Sequence, residues 1–576
     1  MADATFDAVI VGGGNKALML AMYLVKYGGM SVGIFERRHE IGGCLATEET
    51  SAPGFRGNTH ATIILPWYYL PLWRDFPEFW DYGAQWEQYL CSDGGVFSDK
   101  ENCLAIYSQK HDPTQERTAK QIARFSQRDA EKWLKLWDLA QSDEMQRVQV
   151  DGMFLPAELK TAPEIMERQT AILPKAFEMG VIPDTKFMTN SLMKAVQEQW
   201  ESQELQFCIL RFVVSGVMDV NEPGFGPQMM GMASTLPTIG FNRGGTHQIA
   251  HACHQILVQN GCKFFTHAEV DKVIIENGEA KGIKLMDGSQ VMAKKIVVSA
   301  GLSTNQLAFD MIGRENLDPM LARRVELLDR NFGALMWYTL ALHEAPKYKA
   351  AAFNPDINET MWLGMARDPD PEHISRECLY VKLKKWPPID DYCINVWCHS
   401  LVDPSYAPPG KHTAQCEQMV VPVPAHSERE WLEIKKRYTG ELLSVWQKHA
   451  PNMTWDNVIG VDTNSPYDTL RMKNIAPTGQ MGGLDRTLYQ VFENRPTPEL
   501  ANHRTPIKNL YATGCHWWVG SSASSSEAYN CYRIIANDLG LGKPWEEKGK
   551  EEPDSLVQQI RIIEKRVQDS AKSKAK

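Results

Sequence analysis

Residue types able to do chemistry stand in three blocks of the chain. The first is Gly12-Gly13-Gly14, with Ala17 three residues on and Glu36 closing the block. A glycine at 12 permits a tight turn, and a glycine at 14 lets the backbone approach a pyrophosphate. A carboxylate near position 36 is placed to accept hydrogen bonds from ribose hydroxyls. The second block is Arg56-Gly57-Asn58-Thr59-His60, and the third gathers Gly514, His516, Ser522 and Glu527 near the C-terminus. His60, His516 and Glu527 are the titratable groups from which a catalytic base or acid is drawn. Each also has a structural reading, as a satisfied core histidine or a carboxylate complementing a helix dipole.

These residues need elements to hold them. Ala8 to Val11 reads as a strand, an amphipathic helix pattern follows Gly14, and Ser31 to Phe35 reads as a second strand. That is the βαβ order of a dinucleotide-binding unit, whose helix turns free N–H groups and its positive dipole end to a phosphate. Ala17 occupies the third glycine position and still allows close helix–strand packing. The unit begins a few residues from the N-terminus, and Glu36 is followed by Arg37-Arg38 and Gly42-Gly43; both features favour FAD over NAD. Residues 241–301 read as a helix, a turn at Gly261, a short strand, a hairpin and a buried strand from Ile296 to Ser299. Leu510 to Thr513 reads as a strand and Gly520-Ser521-Ser522 as a small-residue turn. A helix is expected from about Ser524, with serine N-caps. A polar turn before a helix N-terminus suits a phosphate or a flavin carbonyl oxygen.

The 576 residues suffice for two or three domains with sizeable cores. A net charge of −10 argues against non-specific nucleic-acid binding, which needs a basic surface. The N-terminus runs straight into the first strand, and no apolar stretch of about 18 residues occurs, so neither a secretory signal nor a transmembrane helix is expected. The 12 cysteines are scattered without a CxxC pair, which fits reduced thiols and a cytoplasmic location. His247, His251, Cys253 and His254 are read as positions on an amphipathic helix, and no metal is expected.

Together the blocks resemble the phytoene desaturase-type family of FAD-dependent oxidoreductases with the amine-oxidase fold. The matching residues span almost the whole chain: Gly12 to Gly14, Glu36-Arg37-Arg38, Gly42-Gly43, Pro53 to Arg56, Arg243-Gly244-Gly245, Asp403-Pro404-Ser405, Ala407 to His412, Ser465-Pro466, Arg495-Pro496, and Arg504 through Gly514. The resemblance implies an α/β chain, a two-domain α+β flavoprotein. Its Rossmann-like FAD-binding domain would comprise residues 1–64, 236–314 and 456–545, and its amine-oxidase-type substrate domain residues 65–235 and 315–455. A charged C-terminal helix and tail, 546–576, follows as a surface helix offering a subunit contact. By the same resemblance Gly12, Gly14 and Glu36 hold the adenosine diphosphate half of FAD. Arg37, Gly42 and Gly43 lie along the pyrophosphate and ribityl chain, Val270 presents backbone groups to the adenine, and Gly514 sits by the ribityl chain. The flavin is expected to be held non-covalently. The family is usually glycine-rich after Gly514, whereas here Cys515-His516-Trp517-Trp518-Val519 follows. Trp517 and Trp518 are expected to reshape the flavin side of the cavity, which argues against a long polyene.

Pro66 to Trp73, with Phe76, Phe79, Trp80, Tyr82 and Trp86, supplies rigid apolar area suited to a hydrocarbon ligand. Core packing explains the same rings, and a third reading is a peripheral membrane contact that collects lipophilic substrate. Met229, Met230 and Met232 adapt to irregular ligands or fill a core. With FAD as hydride acceptor, the expected activity is a dehydrogenase acting on an apolar isoprenoid or terpene hydrocarbon such as limonene. Loss of a neighbouring proton gives an alkene; capture of water gives an allylic alcohol. Within the family, the subgroup of bacterial limonene dehydrogenases is the one the Trp-rich loop favours. It implies a paralogous second subunit and an external electron acceptor such as ferredoxin or a quinone. The alternatives are a carotenoid desaturase or isomerase, and a flavin-binding, non-catalytic subunit suggested by Ala17 and the missing glycines.

Overall fold

The computed structural model describes residues 3–574 apart from 183 and 476. Strand β1 (Ala4–Val11) buries Ala8 to Val11 without alternation, as a central strand of a parallel sheet does. Helix α1 (Asn15–Lys26) buries every residue from Asn15 to Val25. A helix apolar nearly all round must be covered on every side; the helices His247–Gln259 and Ser526–Leu539 pack against it. Strand β2 (Val32–Phe35) returns parallel to β1, with Ala8 opposite Val32 and Val11 opposite Phe35.

These strands belong to a seven-stranded sheet in the order Val270–Glu276, Glu279–Leu285, Gln290–Ser299, β1, β2 and Lys263–Phe265. Leu510–Ala512 pairs with the end of Gln290–Ser299, so that Val298 lies opposite Tyr511. The ends of β1, Gln290–Ser299 and Leu510–Ala512 therefore converge, and ligands of open α/β sheets bind beyond such carboxyl ends. The expected hairpin at 276–279 turns through Asn277 and Gly278, with φ of 52° and 76°. Positive φ at both positions is what a tight two-residue hairpin turn requires.

A second seven-stranded sheet runs Val458–Asn464, Ala334–Leu342, His412–Val420, Ile394–Trp397, Thr360–Ala366, Cys91–Phe97 and Asn102–Tyr107. One face packs on the long helix Glu428–His449 through Tyr338, Cys416, Trp431 and Trp446. Strand alternation puts Trp337, Gln415 and Glu417 on the other face, beside Asn395 and Trp397. The boundary expected at 456 needs correction at one strand. Val458–Asn464 is hydrogen-bonded to Ala334–Leu342, whose backbone groups would otherwise lack partners on that side.

The aromatic run from 66 to 86 divides. Tyr69, Trp73, Phe76 and Phe79 are core, with Tyr69 stacked edge-on to Trp73 at 5.7 Å and to Phe79 at 6.0 Å. The helix Asp554–Lys574 covers this cluster with Leu556, Val557, Ile560, Ile563 and Val567, all buried. Its apolar stripe thus packs on its own chain, not on another subunit as the sequence suggested. His247 bonds the Leu45 carbonyl at 2.9 Å, His254 packs on Phe264, and Cys253 is buried in the core. Among the described residues no helix is long and apolar enough to cross a membrane.

Candidate functional site

Backbone-to-backbone packing builds the nucleotide end. Gly12 has φ +93°, and a Cβ there would lie 2.7 Å from the Gly301 Cα. Gly43 has φ +60°, and its Cβ would meet the Gly14 Cα at 2.9 Å. Only glycine fits either place. The Gly42 N–H donates to the Gly13 carbonyl at 2.8 Å and fastens this second glycine turn to the first. The Gly13 N–H donates to Glu36 Oε2 at 2.7 Å, and the Arg38 N–H to Oε1 at 2.9 Å. So oriented, Glu36 lines a cavity of about 260 Å³ together with Gly12, Gly14, Arg37, Val270 and Lys473. The Arg37 guanidinium also donates to the Arg471 carbonyl at 2.9 Å. Ala17 and Gly42 line none of this space: Ala17 is buried in α1, and Gly42 packs on Ala250.

A waist of about 90 Å³ follows, lined by Asn15, Lys16, Gly514, His516 and Ser522. It shares Gly14, Gly43, Gly301 and Lys473 with the first cavity. Asn15 Nδ2 donates to the Ser522 carbonyl at 2.7 Å, tying α1 to the C-terminal turn. His516 is buried, with Nδ1 at 3.0 Å from the Thr304 hydroxyl. Burial, with Arg495 and Arg330 nearby, pushes the imidazole down to about 3, so it is neutral at physiological pH.

Glu527 stands elsewhere than a base would. It lies behind the waist, fully buried, 2.7 Å from the Lys16 ammonium. The Ser521 N–H donates to its other oxygen at 2.9 Å, and the Ser524 and Ser526 hydroxyls add bonds at 3.0 and 3.1 Å. Burial alone would raise its pKa, but Lys16 and these donors hold it below the usual carboxylate range. Glu527 lines neither the waist nor the chamber beyond, and it locks α1 to the last helix of the site. That helix starts at Ser526, later than expected, and no serine caps it. The Ser525 hydroxyl instead donates to the Tyr68 carbonyl at 2.7 Å.

Ser522 and Met481 pass from the waist into a chamber of about 430 Å³. Its wall is largely apolar, with Trp67, Phe212, Met232, Trp337 and Trp362 among its residues. His60 lines it as well, with both ring nitrogens buried and without a partner. Burial, then the charges of Lys473 and Arg38, hold its pKa well below the ordinary histidine value. The side chain is a neutral imidazole with one donor and one acceptor to offer. The expectation for the tryptophan pair is corrected here. Trp517 donates to the Leu500 carbonyl at 2.8 Å, Trp518 donates to the Gly152 carbonyl at 2.9 Å, and neither lines the chamber. The loop's indole N–H groups are met by backbone carbonyls behind the wall, leaving Val519 to face the space.

Four residues were missed by the sequence reading. Lys16, inside the glycine fingerprint, carried a signal, since a charge there must find a buried partner. Glu417 also carried one, in the alternation of polar Thr413, Gln415 and Glu417 with apolar Ala414 and Cys416 along one strand. Lys473 and Arg486 carried none; only the fold brings them to the waist and the chamber.

The line of cavities fits FAD. Glu36 supplies hydroxyl acceptors at one end, glycine backbone and the nearly buried Lys473 ammonium suit phosphates in the middle, and Ser522 opens onto the space for a ring system. Residues 10–80 match the NAD(P)-binding Rossmann-like domain family. A limonene dehydrogenase subunit of Castellaniella defragrans is 25% identical over 96% of this chain and 97% of its own length. The 4,4′-diapophytoene desaturase (4,4′-diapolycopene-forming) of a Methylomonas species is 24% identical over 51% of this chain and 54% of its own. Cyclohexylamine oxidase from Brevibacterium oxydans shares the fold, with a TM-score of 0.53 at 14% identity over 93% of this chain and 99% of that one. With similarity running nearly end to end and reaching the carotenoid desaturases as well, the chain is similar to the phytoene desaturase-type FAD-dependent oxidoreductases.

Proposed function

We propose that the chain is a dehydrogenase that removes a hydride from an allylic carbon of a compact isoprenoid hydrocarbon of monoterpene size, such as limonene. The observation that carries this reading is the chamber itself: about 430 Å³, walled by aromatic and methionine side chains, and opening onto the waist at Ser522. That volume is near the small end of ligand pockets, and part of it must take the flavin ring, which favours a compact terpene over a carotenoid. Bound FAD supplies the two-electron hydride acceptor. In this reading Gly12, Gly14, Glu36 and Val270 hold the adenosine half. Arg37, Gly43 and Gly514 border the pyrophosphate and ribityl chain, with Gly42 fastening the Gly43 turn from behind, and Ser522 meets the ring system.

The chain's own contribution is to position and to dry the reacting carbon. Trp337, Trp362 and Phe212 orient a hydrocarbon that has no polar handle and exclude bulk water from it. His60, unpartnered and neutral at the chamber wall, is the group we assign to hold a water or receive a proton beside the reacting carbon. An unsatisfied histidine facing the chamber favours a catalytic chain over one that merely binds flavin. We extend the proposal to a paralogous second subunit, because the Castellaniella relative is named as a subunit, and to an external electron acceptor such as ferredoxin or a quinone in the cytoplasm.

The test is an anaerobic titration of the purified holoprotein with limonene, with an acyclic monoterpene and with a carotenoid precursor. Bleaching of the flavin band by a monoterpene is expected. Bleaching by the carotenoid precursor alone would replace this reading with that of a desaturase.

A further inference from the structure

The chamber wall contributed by the second sheet holds an acidic cluster that no step above uses. Glu417, on His412–Val420, lines the chamber and is 2% exposed. Its neighbours in register are Trp337 on one side and Asn395 on the other. The Asn395 amide approaches Glu417 Oε1 at 3.5 Å, and Asn395 Oδ1 accepts from Arg211 Nε at 3.0 Å. Arg211, from the helix Gln203–Ser215, also donates to Glu377 Oε2 at 3.0 Å from the helix Glu372–Lys382. The cluster sets two buried carboxyls against one guanidinium, and the charges balance only when one carboxyl holds a proton. Arg211 Nη2 and Glu377 Oε1 are buried without partners. So is the indole N–H of Trp362, which lies on the same chamber wall. A hydrocarbon offers an indole N–H nothing to bond, whereas a hydroxyl or water oxygen does.

We propose that Glu417 is the proton acceptor of this wall: it takes the proton of a water whose oxygen adds to the carbon that has lost its hydride, giving an allylic alcohol. The proposal rests on the hydride-abstraction reading above. The substrate carbon gives up a hydride, with its two electrons, to the flavin. The water oxygen then forms the new C–O bond, its O–H bond breaks, and the proton passes to the Glu417 carboxylate. Arg211 and Glu377 act through Asn395 as positioning residues. On the chamber side the titratable groups facing this wall are His60, Tyr68 and Arg486. Burial, opposed in part by Arg211, pushes Glu417 up to about 8, and burial pushes Glu377 up to about 7. The acceptor form of Glu417 therefore grows as the pH rises through the range about 7 to 8.

The test uses the full-length holoprotein in two arms. In the first, infrared difference spectra follow the protonated-carboxyl stretch that Glu417→Gln removes, on adding cyclohexanol or cyclohexane. The band is expected to shift with the alcohol and not with the hydrocarbon. A band that ignores the alcohol overturns the proposal whatever the substrate is. In the second arm a single turnover with limonene is run in ¹⁸O-labelled water. The product alcohol is expected to carry the label, and Glu417→Gln to slow its formation by ~10²–10⁴-fold with flavin content unchanged. The rising limb of the pH profile should be lost in Glu417→Gln and displaced but present in Glu417→Asp. An unlabelled or alkene product overturns the role of Glu417. An infrared shift in a protein whose flavin no terpene bleaches supports the oxygen-binding wall and fails only the substrate reading.

Discussion

The two ends of the cavity line are built from different material. At the nucleotide end the shape is made by main chain: Gly12 on Gly301, Gly43 on Gly14, and Glu36 held by the N–H groups of Gly13 and Arg38. In the chamber it is made by side chains from widely separated segments: Trp67, Phe212, Met232, Trp337, Trp362 and Glu417. Main-chain packing tolerates almost no substitution, because a single Cβ has nowhere to go. A side-chain wall can be resized one residue at a time. The first end fixes which cofactor is held, and the second decides what meets it.

The largest effect is expected where main chain touches main chain. Gly43→Val would place a branched side chain on the Gly14 Cα in a left-handed backbone, and should yield protein without bound flavin, read as the flavin-to-protein absorbance ratio. If the flavin stayed, the backbone-built picture of this end would be wrong. Next comes Lys16→Met, which strands Glu527 in a site where both side chains are at most 4% exposed. Removing one partner of a buried pair costs about 3–5 kcal/mol, to be measured by denaturant unfolding. Adding Glu527→Gln should return part of that loss, a signature of pairing that simple misfolding would not produce.

At the chamber end, His60→Phe should leave flavin content intact and slow anaerobic flavin reduction by substrate by ~10²-fold or more. Equal loss of flavin would move His60 to the structural side of the comparison. A pH effect on stability comes from Glu417, whose folded value of about 8 lies above the ~4.3 of an unfolded glutamate. Between those values the folded chain binds more protons, so stability falls as pH rises across the window, by at most ~1.4 kcal/mol per unit. Glu417→Gln should flatten that decline in urea midpoints taken from pH 5 to pH 8. The smallest effect is Phe212→Ala, which enlarges the wall and should shift the kcat/KM ratio towards a larger terpenoid by about tenfold.

What could be read from the sequence follows the same division. The strand, glycine turn, helix, strand and acid from Thr5 to Glu36 are local in sequence, and the structure has each in its expected place. The C-terminal block was legible as strand and turn because Leu510–Ala512 and Gly520 to Ser522 carry their own backbone preferences. The chamber was not legible. Trp517 and Trp518 looked like pocket residues because they follow Gly514, yet their N–H groups are drawn to the Leu500 and Gly152 carbonyls. Val458–Asn464 looked like part of the cofactor half because nothing local says which sheet a short edge strand will join. Glu527 stood as a candidate base whose helix position also suited a dipole-complementing carboxylate, and Lys16 made it a lock.

The most direct measurement is a crystal structure of the holoprotein soaked with a monoterpene alcohol. FAD should run from Glu36 past Lys473 to Ser522, with its ring at the chamber mouth. The alcohol should lie between that ring and the wall of Trp337, Trp362 and Glu417. A flavin ring that fills the chamber, or an alcohol bound anywhere else, would contradict this arrangement.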